Sequence, residues 1–170
     1  MNVPAFKPEP FIDSYKNYIS RFEIEIDIDD KFSWESINDH LLESRYFPYP
    51  SSEWITTCLD PIVDDLKKRN LPREELIRAV YDTVKVVKYN NEEDLFISNK
   101  GVCGRYKMQS GNSADINFLL IQLLNKLDIE THPVVLSTRD NGHLFQANPS
   151  RNKLNYVIAA VNQYNGFKLL

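Results

Sequence analysis

Cysteine and histidine are scarce in this chain: two cysteines, Cys58 and Cys103, and three histidines, His40, His132 and His143, among 170 residues. Two cysteines exclude a disulfide-dense scaffold and a cysteine-rich zinc module. No His-Glu-x-x-His pattern supports a metal site, so neither metal nor cofactor is expected. Positive charge is not in excess, with 20 Lys+Arg against 24 Asp+Glu for a formal net charge of −4. That balance excludes the basic footprint of a nucleic-acid or anionic-lipid binder. No apolar run approaches the ~18 residues that a membrane span needs, and no repeats or low-complexity segments occur.

What remains is an ordinary globular composition, 42% hydrophobic and 26% charged, in a chain long enough to bury roughly 70% of its unfolded surface. Residues 2–11 hold Pro4, Pro8 and Pro10 and read as an extended connector rather than a charged-then-apolar leader. Ser20 to Ile28 alternates polar and apolar residues with the period of a half-buried strand. Residues 1–30 are therefore expected to be the tail of a preceding β-rich domain, with residues 31–170 forming the following core.

Helical spacing then takes over. Ser33 is placed to cap a helix whose apolar face is Trp34, Ile37, Leu41 and Leu42, ended by Pro48 and Pro50. Ile55, Cys58, Leu59, Ile62, Val63 and Leu66 form one stripe, with Asp60 and Pro61 placed to open a fresh helix. On that stripe Cys58 is expected to be a small, unreactive core residue. A third helix runs from Pro72 through Leu76, Ile77, Val80, Val84 and Val87. Tyr89 to Ser110 reads as an irregular polar loop, and Lys107 to Gly111 should break any helix after Cys103. The longest apolar helix begins at Asn112 or Ser113 and carries Ile116, Leu119, Leu120, Leu123, Leu124 and Leu127, wide enough to be central. Strands are expected at 131–138, 154–161 and 167–170, with turns at Arg139–Gly142 and Asn165–Gly166. Helices followed by an antiparallel meander give an α+β fold.

The segment Gly111-Asn112-Ser113-Ala114-Asp115, followed by the apolar helix, Asp128-Ile129 and a strand, resembles the core of the transglutaminase-like superfamily. Active members write it Gly-x-Cys-x-Asp, then helix, then Gly-Ile. The helix from Pro72 to Tyr89 is similar to the family's preceding helix, and Leu154-Asn155-Tyr156-Val157-Ile158 to the strand that presents its histidine. Pro133 to Arg139 and the first thirty residues resemble multidomain Bacteroidetes members in which a β-rich domain precedes the core. The resemblance implies a papain-like fold with an antiparallel sheet on the helix starting near Ser113. It also implies a periplasmic, cell-envelope or secreted location.

In active members a helix N-terminus stabilises a thiolate, a facing histidine moves the proton, and a carboxylate orients the histidine. Here the nucleophile position holds Ser113, the histidine position holds Tyr156, and the acidic residue is expected beyond Leu170. Gly111 and Asp115 flank Ser113 as in the family. Serine without a base is a weak nucleophile, so Ser113 is expected to cap its helix and Tyr156 to fill space. The two should face each other across the helix–sheet junction. The expected function is a catalytically degenerate module binding a protein or peptide partner or neighbouring domains, with no nucleic acid and no membrane span. The alternative is a hydrolase or acyltransferase using Ser113 or Cys103, the latter a loop thiol near Lys100 and Arg105. His143, beside a turn, is a weaker alternative base, and His132, before Pro133, is expected to be structural.

Overall fold

The computed structural model describes Lys7, Tyr18 and residues 33–49, 56–164 and 166–170. The expected connector and the strand at 20–28 lie outside the described residues.

Helix α1, Trp34–Glu43, starts where Ser33 accepts a hydrogen bond from the Ser36 amide at 3.1 Å, and it buries Ile37 and Leu41. A single 3₁₀ turn, Thr57–Leu59, leads into α2, Asp60–Lys68. Pro61 lies in the first turn of α2, where its missing N–H is harmless, and Asp60 is already helical, so the N-cap position falls one residue earlier than expected, at Leu59. Helix α3, Arg73–Val84, follows Pro72 and buries Ile77, Val80 and Val84.

The stretch 89–110 differs from its reading as an irregular loop. It contains α4, Gly101–Met108, ended by Gln109 in the left-handed conformation. Two glycines and a single buried large side chain, Val102, leave this helix without an apolar stripe, so periodicity cannot signal it. On either side lie the short strands β1, Lys88–Tyr89, and β2, Ser110–Gly111, paired in parallel.

A covalent bond holds α4. Cys58 and Cys103 form a disulfide, with Cα atoms 5.9 Å apart. This corrects both cysteine expectations: Cys58 is not a lone core thiol, and Cys103 is not a loop thiol available for attack. The 3₁₀ turn before α2 faces the first turn of α4 and brings the two sulfurs together.

Helix α5, Ser113–Lys126, is the centre of the fold. Phe118, Leu119, Ile121, Leu123 and Leu124 are at most 1% exposed, and Phe118 meets Phe47 edge-on at 4.9 Å between ring centroids. On one side α5 contacts α3 and α4, and on the other the sheet of β3 (Thr131–Leu136), β4 (Tyr156–Gln163) and β5 (Gly166–Leu169). The sheet is an antiparallel meander in the order β3-β4-β5. This is the expected α+β architecture, helices first and then a small antiparallel sheet on the helix that begins at Ser113.

Pro133 sits within β3 opposite Ala159. The Asn162 amide donates to the Glu130 carbonyl at 2.9 Å, which sets every second pair along this ladder as hydrogen-bonded and leaves Pro133 at a non-bonded one. After α5 the chain turns through Asp128 at φ 61°, and the Ile129 amide returns to the Leu124 carbonyl at 3.0 Å.

The disulfide closes a loop of 45 residues. By the chain-entropy relation that is worth about 4 kcal/mol. Urea unfolding with and without a reducing agent should show a stability loss of that order on reduction. A Cys58→Ser, Cys103→Ser variant should show the same loss and no further response to reductant.

Candidate functional site

Polar residues crowd the N-terminus of α5. Asn112 is the cap: its side-chain oxygen accepts from the Asp115 amide at 2.7 Å, and the Asp115 carboxylate accepts from the Asn112 amide at 3.1 Å. Asp115 also accepts from the Ser98 amide at 2.8 Å and the Ser98 hydroxyl at 3.0 Å, and lies 3.3 Å from Nε of Arg105. Arg105 Nε in turn donates to the Ser98 hydroxyl at 2.7 Å. Asp115 is 1% exposed, so these partners replace its water.

Gly111 is required by this arrangement. A Cβ placed there would lie 2.7 Å from Cβ of Asp115. The Gly-x-x-x-Asp spacing that carries the family resemblance is thus a packing requirement in this chain.

Ser113 is in the same layer. Its amide donates to the Glu92 carbonyl at 3.0 Å. Its hydroxyl accepts from the Asp94 amide at 2.8 Å and donates to the Asp94 carbonyl at 3.0 Å. The side-chain amide of Asn112 donates to the Phe96 carbonyl at 3.1 Å. The segment 92–98 is therefore laid across the start of α5 and fastened at four successive points. Ser113, 1% exposed, has its donor and acceptor both committed to backbone, and a helix terminus so occupied has no open donor pair for an oxyanion.

Tyr156 does not bond to Ser113. The Ser113 hydroxyl is taken by the Asp94 backbone, and Tyr156 lines a cavity of about 490 Å³. Asn117 lines that cavity too and donates to the Ser113 carbonyl at 2.9 Å, so the two predicted positions share a junction without touching through hydrogen bonds. Ile116, Leu120 and Val84 give the cavity an apolar wall, and Tyr81, Lys85, Lys88 and Tyr89 form much of the rest. Lys85 is bonded to Asp82 at 2.9 Å, whereas Lys88 makes no ion pair among the described residues. The Tyr89 hydroxyl is pushed above its usual range by loss of hydration, then by the Glu93 carboxylate, Tyr156 and Glu92.

Two polar groupings were not visible in the sequence. Glu93 accepts from Asn155 at 2.7 Å and Thr138 at 3.0 Å, tying the segment after β1 to the start of β4. On the far side of the sheet His132 hydrogen-bonds to Tyr49 through Nδ1 and to Glu130 through Nε2, the latter at 3.2 Å. The Glu130 carboxyl is held below its ordinary range, first by the Asn162 side chain and then by His132. His132 is structural in this setting, between the rings of Tyr49 and Phe167. His143 is exposed in the segment after the 139–142 turn and is not among the residues lining the cavity. Apart from Glu130 and His132, the members of these groupings lie far apart in sequence, so only their pairing in three dimensions identifies them. Among the described residues no group of three or more His, Cys, Asp or Glu side chains could hold a metal ion, and no helix is long and apolar enough to cross a membrane.

The sequence matches no protein-family model and no curated protein. Among solved structures it is similar to the crystal structure of a putative protease from Parabacteroides distasonis ATCC 8503, with a TM-score of 0.46 and 15% identity over 79% of this chain. The chain spans 25% of that protein's length.

Removing the hub of the clamp should be severe. Asp115→Ala leaves Arg105, Ser98 and the Asn112 amide without their acceptor, and urea unfolding should register a loss of about 3–5 kcal/mol. Gly111→Ala should also destabilise the chain, since the added methyl displaces Asp115.

Proposed function

We propose that this chain is a catalytically silent transglutaminase-like module, with its papain-like core in residues 31–170 behind the tail of a β-rich domain, serving as a binding or structural unit of a larger protein. The observation that carries this reading is the Ser113 hydroxyl. It occupies the family's nucleophile position, yet it is buried and bonded both ways to the Asp94 backbone. The residue in the family's histidine position, Tyr156, makes no hydrogen bond to it and carries no imidazole. A serine without a base has no route to attack an amide or ester.

The alternative nucleophile fares no better, because Cys103 is disulfide-bonded and offers no thiolate. The disulfide also supports the periplasmic, envelope or secreted location, since such bonds persist in oxidising compartments.

The test is turnover of a panel of activated esters and glutamine-containing peptides by the unmodified chain beside Ser113→Ala. Neither should react. Ser113→Ala should lose about 1–3 kcal/mol of stability by leaving the Asp94 amide and carbonyl unpaired. Activity present in the unmodified chain and abolished in Ser113→Ala would establish a serine hydrolase instead. Activity that appears only after reduction and vanishes in Cys103→Ala would place the nucleophile at Cys103.

A further inference from the structure

Helix α4 has a weak apolar hold on the core. Val102 is its one fully buried large side chain, and Tyr106 packs against the core only in part. Its two strong attachments are each made by a single residue. Cys103, in the first turn, is bonded to Cys58 of the 3₁₀ turn Thr57–Leu59, and Arg105 reaches Asp115 at 3.3 Å and the Ser98 hydroxyl at 2.7 Å. The segment 92–98 does not share this dependence, because Leu95 and Ile97 are buried in the core. Helices α3 and α5 and the sheet likewise bury apolar faces of their own. An element with few buried apolar contacts belongs to the low-stability end of a fold, and here a covalent bond compensates.

Both half-cystines are partly exposed, so a thiolate from solvent can reach the bond. The two sulfurs are not equivalent. Cys103 is the third residue of α4, whose first turn has no side-chain cap and carries Lys100 at the N-cap position. Uncapped amides, the helix dipole and a neighbouring cation all stabilise a thiolate there. Cys58 instead has the Asp60 carboxylate two residues on, which disfavours one. The Cys103 thiolate is therefore the better leaving group, and the sulfur attacked is that of Cys58.

We propose that the Cys58–Cys103 bond is a redox latch on α4, opened in the folded protein by a dithiol protein. One thiolate of the dithiol attacks Sγ of Cys58, the S–S bond breaks, and its electron pair leaves with Cys103. The second thiolate of the dithiol then breaks the mixed disulfide and releases Cys58. The dithiol is oxidised to its own disulfide, and its two electrons and two protons end on the two cysteine thiols. Helix α4 then keeps Val102, Tyr106 and the Arg105 contacts, too little to hold a helix of 8 residues. As it detaches, Asp115 loses its cation and regains water, and the part of α5 that α4 covers opens. The rest of the core stays folded.

The experiment treats the unmodified chain with reduced dithiothreitol in the absence of denaturant, alkylates the released thiols, and follows amide hydrogen exchange residue by residue. Both cysteines should be alkylated. In the reduced chain the amides of Arg105 to Met108 should exchange within about tenfold of an unstructured peptide, while those of Phe118 to Leu124 stay about a hundredfold slower or more. Reoxidation should restore protection to α4. The Cys58→Ser, Cys103→Ser variant should exchange like the reduced chain with no reductant present. Brief exposure to the monothiol 2-mercaptoethanol, quenched with acid, should leave its adduct on Cys58. Thiols released only in denaturant, or α4 and α5 left with equal protection after reduction, would each overturn the proposal and make the bond a fixed staple. An adduct on Cys103 would overturn its assignment as the leaving group.

Discussion

The structure depends on one buried carboxylate. Asp115 collects the amide of Asn112, the amide and hydroxyl of Ser98, and the guanidinium of Arg105. Those partners come from the cap of α5, the segment that crosses it, and α4. Of these, α4 has little apolar surface to hold it in place, since it buries only Gly101 and Val102. A desolvated anion with four directed donors supplies the specificity that hydrophobic packing does not. The disulfide belongs to the same assembly. It ties α4 to the turn before α2, and α4 carries the Arg105 that faces Asp115.

This use of the helix terminus competes with the chemistry that such a terminus can perform. The N-terminus of a helix stabilises a nucleophile when its side chain is accessible and a base stands near. In this chain the amides of Ser113 and Asp115 go to Glu92 and Asn112, and the Ser113 hydroxyl is closed by Asp94. The Ser113 amide and hydroxyl are instead spent on fastening residues 92–94, and the Asp115 amide on the cap. A thiol in place of the Ser113 hydroxyl would lie under that segment, closed off in the same way.

The helical elements and the meander were legible because each obeys a period. Helices α1, α3 and α5 show apolar residues at helical spacing, and β3 and β4 show β-branched runs bounded by turns. The fold class follows from their order. Helix α4 escaped because its stability comes from a covalent bond and a buried ion pair rather than from a stripe. The disulfide escaped because 45 residues separate its ends and spacing in sequence carries no distance. At the site, Gly111, Ser113 and Asp115 were found from motif order, but their roles were not. Only the partners Asp94, Ser98 and Arg105, invisible as partners in the sequence, show that these residues form a clamp. Asp128 illustrates a milder departure. It ends the turn after α5 at φ 61°, a conformation aspartate tolerates better than most residues.

The α5–β4 junction is fastened by hydrogen bonds at the helix terminus and lined by a cavity beyond it. At the helix terminus every polar group of Asn112, Ser113 and Asp115 that the fold uses is paired within the protein. One turn further on, Asn117 reaches back to the Ser113 carbonyl while also lining the cavity with Tyr156. The β4–β5 register runs from Gln163↔Gly166 to Ala160↔Leu169, and the Leu170 amide extends it to the Ala159 carbonyl. The clamp thus fixes residues 92–98 against the start of α5, and Glu93 carries the same framework on to Asn155 at the start of β4.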